Sequence, residues 1–183
     1  VKHPFEYPAA YFEAFDVISR NKRGERLNES RVEFVESWWD GGLLDVGIGS
    51  GAFIMERGME KTKGYDVADS PRAWLKEKGL WRDPFDATVR AVTLWDSLEH
   101  MNNPKALIAR VTHCLFISTP IYENAEVVLR SRHFKPREHL WYFTEWGLIG
   151  WLKEQGWELL ERSRLEERFG RDSVGSYVFA RDL

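Results

Sequence analysis

Asp96-Ser97-Leu98-Glu99-His100 places two carboxylates and an imidazole within five residues. If this corner makes a helical turn, the i, i+3, i+4 spacing sets all three side chains on one side. Such a trio has two uses. His100 can take a proton from a reacting hydroxyl or amine near neutral pH, or the three together can hold a divalent cation. Of the other histidines, His139 and His133 are the further candidates, whereas His113 sits in a helix-to-strand connection and His3 near the start of the chain. His139 stands beside Trp141-Tyr142-Phe143, and His133 beside Phe134, Lys135 and Arg137. Aromatic faces with a few polar groups describe a pocket for a small planar or sugar-like molecule, in which His133 and Tyr142 are the expected contacts.

A second constellation is the run Leu43-Leu44-Asp45-Val46-Gly47-Ile48-Gly49-Ser50-Gly51-Ala52. It reads as a buried strand entering a glycine-rich turn and then a helix, the form in which main-chain atoms can approach a nucleotide closely. Two ligand classes fit. Gly47, Gly49 and Ala52 satisfy the dinucleotide pattern, but Asp45 stands where that pattern carries an apolar residue. A carboxylate suits a cationic ligand better than a pyrophosphate. About twenty residues on, at the spacing of a ribose-binding acid, stands Asp66 in Lys63-Gly64-Tyr65-Asp66-Val67.

These motifs, with Ala91 to His100, Cys114 to Pro120 and Glu138 to Thr144, resemble in order those of the class I S-adenosylmethionine-dependent methyltransferases. The similarity is to the broad branch that includes ubiquinone-biosynthesis O-methyltransferases, and it covers about residues 40 to 181. The resemblance implies S-adenosyl-L-methionine as cofactor and S-adenosyl-L-homocysteine as product. Gly47, Gly49 and Gly51 would pass beneath the methionine part, and Asp45 would support the turn or accept from the ammonium. Asp66 would hold the ribose, Trp81 would flank the adenine, and Trp95 and Asp96 would border the methionine end. Some relatives carry E-x-x-E-H at the corner and hold a metal there. Asp96 replaces the first Glu, and the expectation is no metal, with His100 and then His139 as base.

The elements that must position these groups alternate in a βα sense. Helices are expected from Asn28 to Trp39, with Ser30 and Glu33 at capping-box spacing, after the glycine turn as far as Gly58, and from Ser70-Pro71 to Gly79. Others are expected after Asn103-Pro104 and after Thr144. Trp157 to Leu160 and Tyr177 to Phe179 read as a final antiparallel pair, and Leu80-Trp81 is the only candidate for a third strand. The implied fold is a Rossmann-like α/β sheet of seven strands, mostly parallel with an antiparallel last hairpin strand, and helices on both faces. The expected organisation is one domain over 1–183, with a lid and helix in 1–39 and the core in 40–183. Phe5 to Phe12 reads as the lid segment.

A chain of 183 residues with 43% apolar content can fill one core. Net charge of -3 and pI near 6.0 argue against a dedicated nucleic-acid binder. The single cysteine, Cys114, in an apolar strand suits a reducing compartment, and no run has membrane-spanning length, so a cytoplasmic location is expected. O-methylation of a small molecule leads. N-methylation, a nicotinamide-dependent oxidoreductase and an S-adenosylmethionine-binding protein without turnover stay open, and the oligomeric state is not legible.

Overall fold

The computed structural model describes residues 9–181. Two helices come first: α1 (Ala9–Ser19) and α2 (Lys22–Glu36). The sheet is built by β1 (Leu43–Val46), β2 (Thr62–Tyr65), β3 (Val89–Trp95), β4 (Val111–Pro120), β5 (Glu158–Ser163) and β6 (Val174–Ala180). Between them lie α3 (Ala52–Arg57), α4 (Asp69–Glu77), α5 (Pro104–Ile108), α6 (Ala125–Arg130) and α7 (Glu145–Lys153).

Strand order is β2-β1-β3-β4-β6-β5, parallel up to β4, with β6 antiparallel to both its neighbours. The order reverses at β1, which pairs with β2 on one side and β3 on the other, so both strand tips flank the glycine turn. All four β1 residues are buried, as a central parallel strand covered on both faces requires. On one face Leu107, Ile108, Leu148 and Leu152 from α5 and α7 pack on the sheet. On the other, Leu27, Phe34 and Val35 of α2 and Phe53 of α3 do so.

Six strands, not seven, form this sheet among the described residues. Leu80-Trp81, the candidate third strand, contributes a lone parallel bridge between Gly64 and Trp81 at the β2 edge. The helix expected from Asn28 to Trp39 starts earlier: Asn21 caps it, its side-chain oxygen accepting from the Arg23 and Gly24 amides, and Ser30 lies inside it rather than at its start. Pro71 is the third residue of α4, not the first. The expected caps hold elsewhere, with Asn103 accepting from the Ala106 amide and Thr144 from the Gly147 amide. Of the expected lid, residues 5–8 lie outside the described residues, as does His3, while from Ala9 the chain is helical.

Candidate functional site

β1 delivers the chain into a turn in which Gly47, Gly49 and Gly51 all have positive φ, 80°, 53° and 76°. Those values explain the residue type, since a side chain strains such a backbone. Gly47 also has no room for one, because a Cβ would fall 2.6 Å from that of Ser97, whose hydroxyl donates to the Val46 carbonyl at 2.7 Å. Gly49 is different: among the described residues nothing lies within 4 Å of where its Cβ would stand. The space above this turn belongs to a cavity of about 300 Å³ bounded by Glu13 and Asp16 of α1, Gly49 and Ser50, and Ser70 and Trp74 of α4. The Ser19 and Ser50 hydroxyls share a hydrogen bond at 2.7 Å, tying α1 to the turn.

Asp45 is buried beneath the turn, accepts from the Thr93 hydroxyl at 2.7 Å, and burial pushes its carboxyl up to about 7. Asp66 follows β2 directly. Burial raises its carboxyl to about 6, against hydrogen bonds from the amides of Ala68, Gly49, Ile48 and Val67 that favour the ion. The β2 acid therefore braces the turn from below. S-adenosylmethionine fits this set of residues: a cradle at Gly49 with room for a ligand, an acid at the ribose spacing and a second buried acid under the turn.

That geometry sets a pH dependence. If Asp66 is the ribose-binding acid, the ribose hydroxyls would donate to its ionised form, so affinity for S-adenosylhomocysteine is expected to fall as pH drops through about 6. On folding the same shift acts in the opposite sense, because a carboxyl raised above its unfolded value of about 4 contributes stability that is lost as pH rises through the folded value. Calorimetric titrations between about pH 5 and 8 should show the decline in wild type and a flatter profile in Asp66→Asn. Equal slopes in both would remove Asp66 from the binding site.

At the β3 tip the three corner residues part company. Asp96 has φ 52°, an uncommon backbone for a non-glycine residue, and its carboxylate meets Arg171 at 2.5 Å and Arg31 at 3.1 Å. Both arginines also hold buried Glu166, at 2.7 Å from Arg31 and 3.1 Å from Arg171. The two cations, Arg171 foremost, keep the Asp96 carboxyl well below its usual range despite burial. So the expectation of Asp96, Glu99 and His100 on one side is corrected: Asp96 is spent on arginines, and the helical turn involves only Leu98–His100.

His139 takes its place. The Leu140 and Trp141 amides both donate to the Glu99 carbonyl, at 2.7 and 3.1 Å, and the Trp141 indole donates to the Met101 carbonyl at 2.7 Å. These bonds dock the 139–141 segment on the corner and bring the His100 and His139 rings within 4.6 Å. Ligand atoms of Glu99, His100 and His139 then all lie within 4.8 Å of one another, close enough to hold a metal ion. Burial pushes the Glu99 carboxyl up to about 8, helped by the Asp96 charge, while the Thr119 hydroxyl donates to it at 3.1 Å. His139 is buried and pushed down to about 4, first by desolvation and then by His100, and its Nδ1 has no hydrogen-bond partner.

Tyr142 lies 6.2 Å from the His139 ring and 5.7 Å from Phe134, with its hydroxyl buried and unpartnered. His133 is half-buried one aromatic layer away, its carbonyl accepting from the Tyr122 hydroxyl at 3.4 Å. Trp95 is buried between the Arg31 guanidinium, 4.9 Å over its ring, and the Phe53 ring at 5.5 Å, with its indole N–H unpartnered. Trp81 packs with Tyr65 at 5.1 Å beneath the cations of Arg72 and Lys76, on the small cluster of Ile48, Ile54, Leu75 and Leu80. That is the packing of a sheet-edge residue. Sequence reasoning gave no role to Thr93 and Thr119, which lie inside motifs it named, and missed Arg31, Glu166 and Arg171, which lie in none.

The family model for the methyltransferase domain matches residues 13–162. No curated protein matches significantly. Among solved structures, magnesium protoporphyrin IX methyltransferase from Synechocystis PCC 6803, with bound S-adenosylhomocysteine, is similar at TM-score 0.69 and 14% identity, covering 95% of each chain. An S-adenosylmethionine-dependent methyltransferase from Archaeoglobus fulgidus is similar at 0.62 and 15% identity, over 93% of this chain and 100% of that one. An O-methyltransferase family protein from Burkholderia thailandensis is similar at 0.60 and 15% identity, over 96% of this chain and 61% of that one.

Proposed function

The chain belongs to the methyltransferase-domain family, and from that premise we propose that it moves the methyl group of S-adenosylmethionine to an oxygen of a small-molecule acceptor. Bound S-adenosylmethionine supplies an electrophilic methyl on a positively charged sulfur, so the protein's own residues have to align the acceptor and remove a proton. Asp66 and the Gly47–Gly51 turn hold the cofactor, with Asp45 supporting the turn. The observation that carries the reading is the meeting of Glu99, His100 and His139 at the β3 tip. His100, the more exposed imidazole, takes the acceptor's proton. His139, pushed down by desolvation, packs against its ring, and burial of Glu99 beside them favours the uncharged carboxyl. Tyr142 and His133 contact the acceptor. N-methylation uses the same groups and is the alternative within the family, while membership sets the nicotinamide reading aside.

The test is transfer of labelled methyl from S-adenosylmethionine to a panel of phenols, sugars, carboxylic acids and amines. Label on a hydroxyl compound supports the reading, and label only on amines overturns the oxygen assignment. No transfer to any member, with S-adenosylhomocysteine still bound, would favour a binding protein without turnover.

A second reading has its own observation, the fit of Glu99, His100 and His139 to a divalent cation that would polarise the acceptor oxygen. Activity is expected to survive EDTA. Loss on chelation with recovery on Mg²⁺ or Mn²⁺ would assign the three residues to a metal.

A further inference from the structure

Two exposed guanidinium groups, those of Arg23 and Arg132, meet on the turn that follows the 3₁₀ segment Leu165–Phe169. Gly170 there has left-handed backbone, φ 62°. Arg23, from the first turn of α2, lies in the space that a Cβ on Gly170 would fill. Arg132, beyond α6, donates from Nη2 to the Gly170 carbonyl at 3.3 Å. Arg171 is the next residue. Its charge is matched, since Arg171 and Arg31 together face Asp96 and Glu166. Glu167 is spent on Arg164 at 2.6 Å. Among the described residues neither Arg23 nor Arg132 has a carboxylate partner. With no carboxylate paired to either among the described residues, an anion bound between the two cations would relieve their repulsion, in a chain whose net charge is -3.

The cluster is continuous with the acceptor site. Arg132 Nε lies 3.3 Å from His133 Nε2, the His133 carbonyl accepts from Tyr122, and Tyr122 lies 5.9 Å from Tyr142. Tyr142 leads to His139 and so to His100. Cations thus stand at one end of an aromatic wall and imidazoles at the other. We propose that Arg23 and Arg132 form a subsite for a phosphate monoester carried by the acceptor, whose body lies along Phe134 and Tyr142 and whose nucleophilic oxygen reaches His100. The proposal rests on the methyltransferase reading of the same site. Two unmatched positive charges balance a phosphate dianion more completely than a carboxylate, and guanidinium forks take phosphate oxygens in pairs.

Phenyl phosphate is the probe, titrated into the protein with and without S-adenosylhomocysteine and followed by calorimetry and by the arginine Nε–H resonances. It is expected to bind at least about tenfold more tightly than benzoate, phenol or inorganic phosphate, and Arg23→Gln and Arg132→Gln should each weaken it by roughly tenfold. Affinity for S-adenosylhomocysteine should be the same in all three proteins. Phenyl phosphate binding no more tightly than phenol, or equally in the variants, overturns the subsite. Inorganic phosphate binding as tightly as phenyl phosphate overturns its link to an acceptor. If S-adenosylhomocysteine fails to bind while arginine-dependent binding of phenyl phosphate persists, the anion subsite stands and the methyltransferase reading falls.

Discussion

Valine at Gly49 is expected to abolish cofactor binding, raising the dissociation constant for S-adenosylhomocysteine by at least about a hundredfold, or ~2.7 kcal/mol, in a protein that still folds. Both halves follow from the turn. Among the described residues no atom stands within 4 Å of a Cβ at this position, so the new side chain displaces none of them. It enters the open space above the turn, where the methionine part of the cofactor is expected to lie. The cost to folding is the strain of a β-branched residue at φ 53°, about 1–2 kcal/mol. Gly47 and Gly51 would be poorer tests, because a Cβ there meets Ser97 at 2.6 Å or the Trp74 ring at 2.9 Å and disturbs the fold itself. Calorimetry with S-adenosylhomocysteine and a thermal melt decide the matter. A Gly49→Val protein that binds within a few-fold of wild type would place the cofactor elsewhere.

For His100→Ala, turnover on an acceptor found by label transfer is expected to fall by about two to four orders of magnitude, the range for loss of a general base. Cofactor affinity should not change, because His100 is not among the residues assigned to hold it. His139→Ala is expected to cost less, since that imidazole, pushed down to about 4, stays neutral and only braces its neighbour at 4.6 Å. A melting temperature lowered in both variants in proportion to lost activity would make the pair structural.

The glycine turn, Asp66 and the corner were legible because each is a local pattern: strand, turn and helix follow one another within a few residues. The capping side chains of Asn103 and Thr144 were legible for the same reason. Asn21 was missed because α2 begins polar, Lys22 to Glu25, and its apolar stripe starts only later. The third strand failed as a strand because Leu80-Trp81 is too short to extend beyond one bridge. His139 was named as a candidate, but its meeting with Glu99 depends on amide bonds to the Glu99 carbonyl across forty residues, which no spacing encodes. Asp96 was misplaced for a related reason. An i, i+3 rule presumes a helical start, and the residue instead takes left-handed backbone beside arginines distant in sequence.

Those arginines bear on the order in which the chain can fold. Arg31 is separated from Asp96 by 65 positions and from Glu166 by 135, and Asp96 from Arg171 by 75. Closing loops of that length costs entropy before any contact repays it, so such pairings form late. During synthesis α2 emerges long before Glu166, and until then burying Arg31 would leave it without the carboxylate that holds it in the finished protein. The sheet strands β1 to β4 can assemble on local βα contacts, whereas the β3 tip takes its final shape only when the last hairpin docks. A nascent chain is therefore expected to acquire its glycine turn first and the geometry around Asp96 last, an order that pulsed hydrogen exchange during refolding would check.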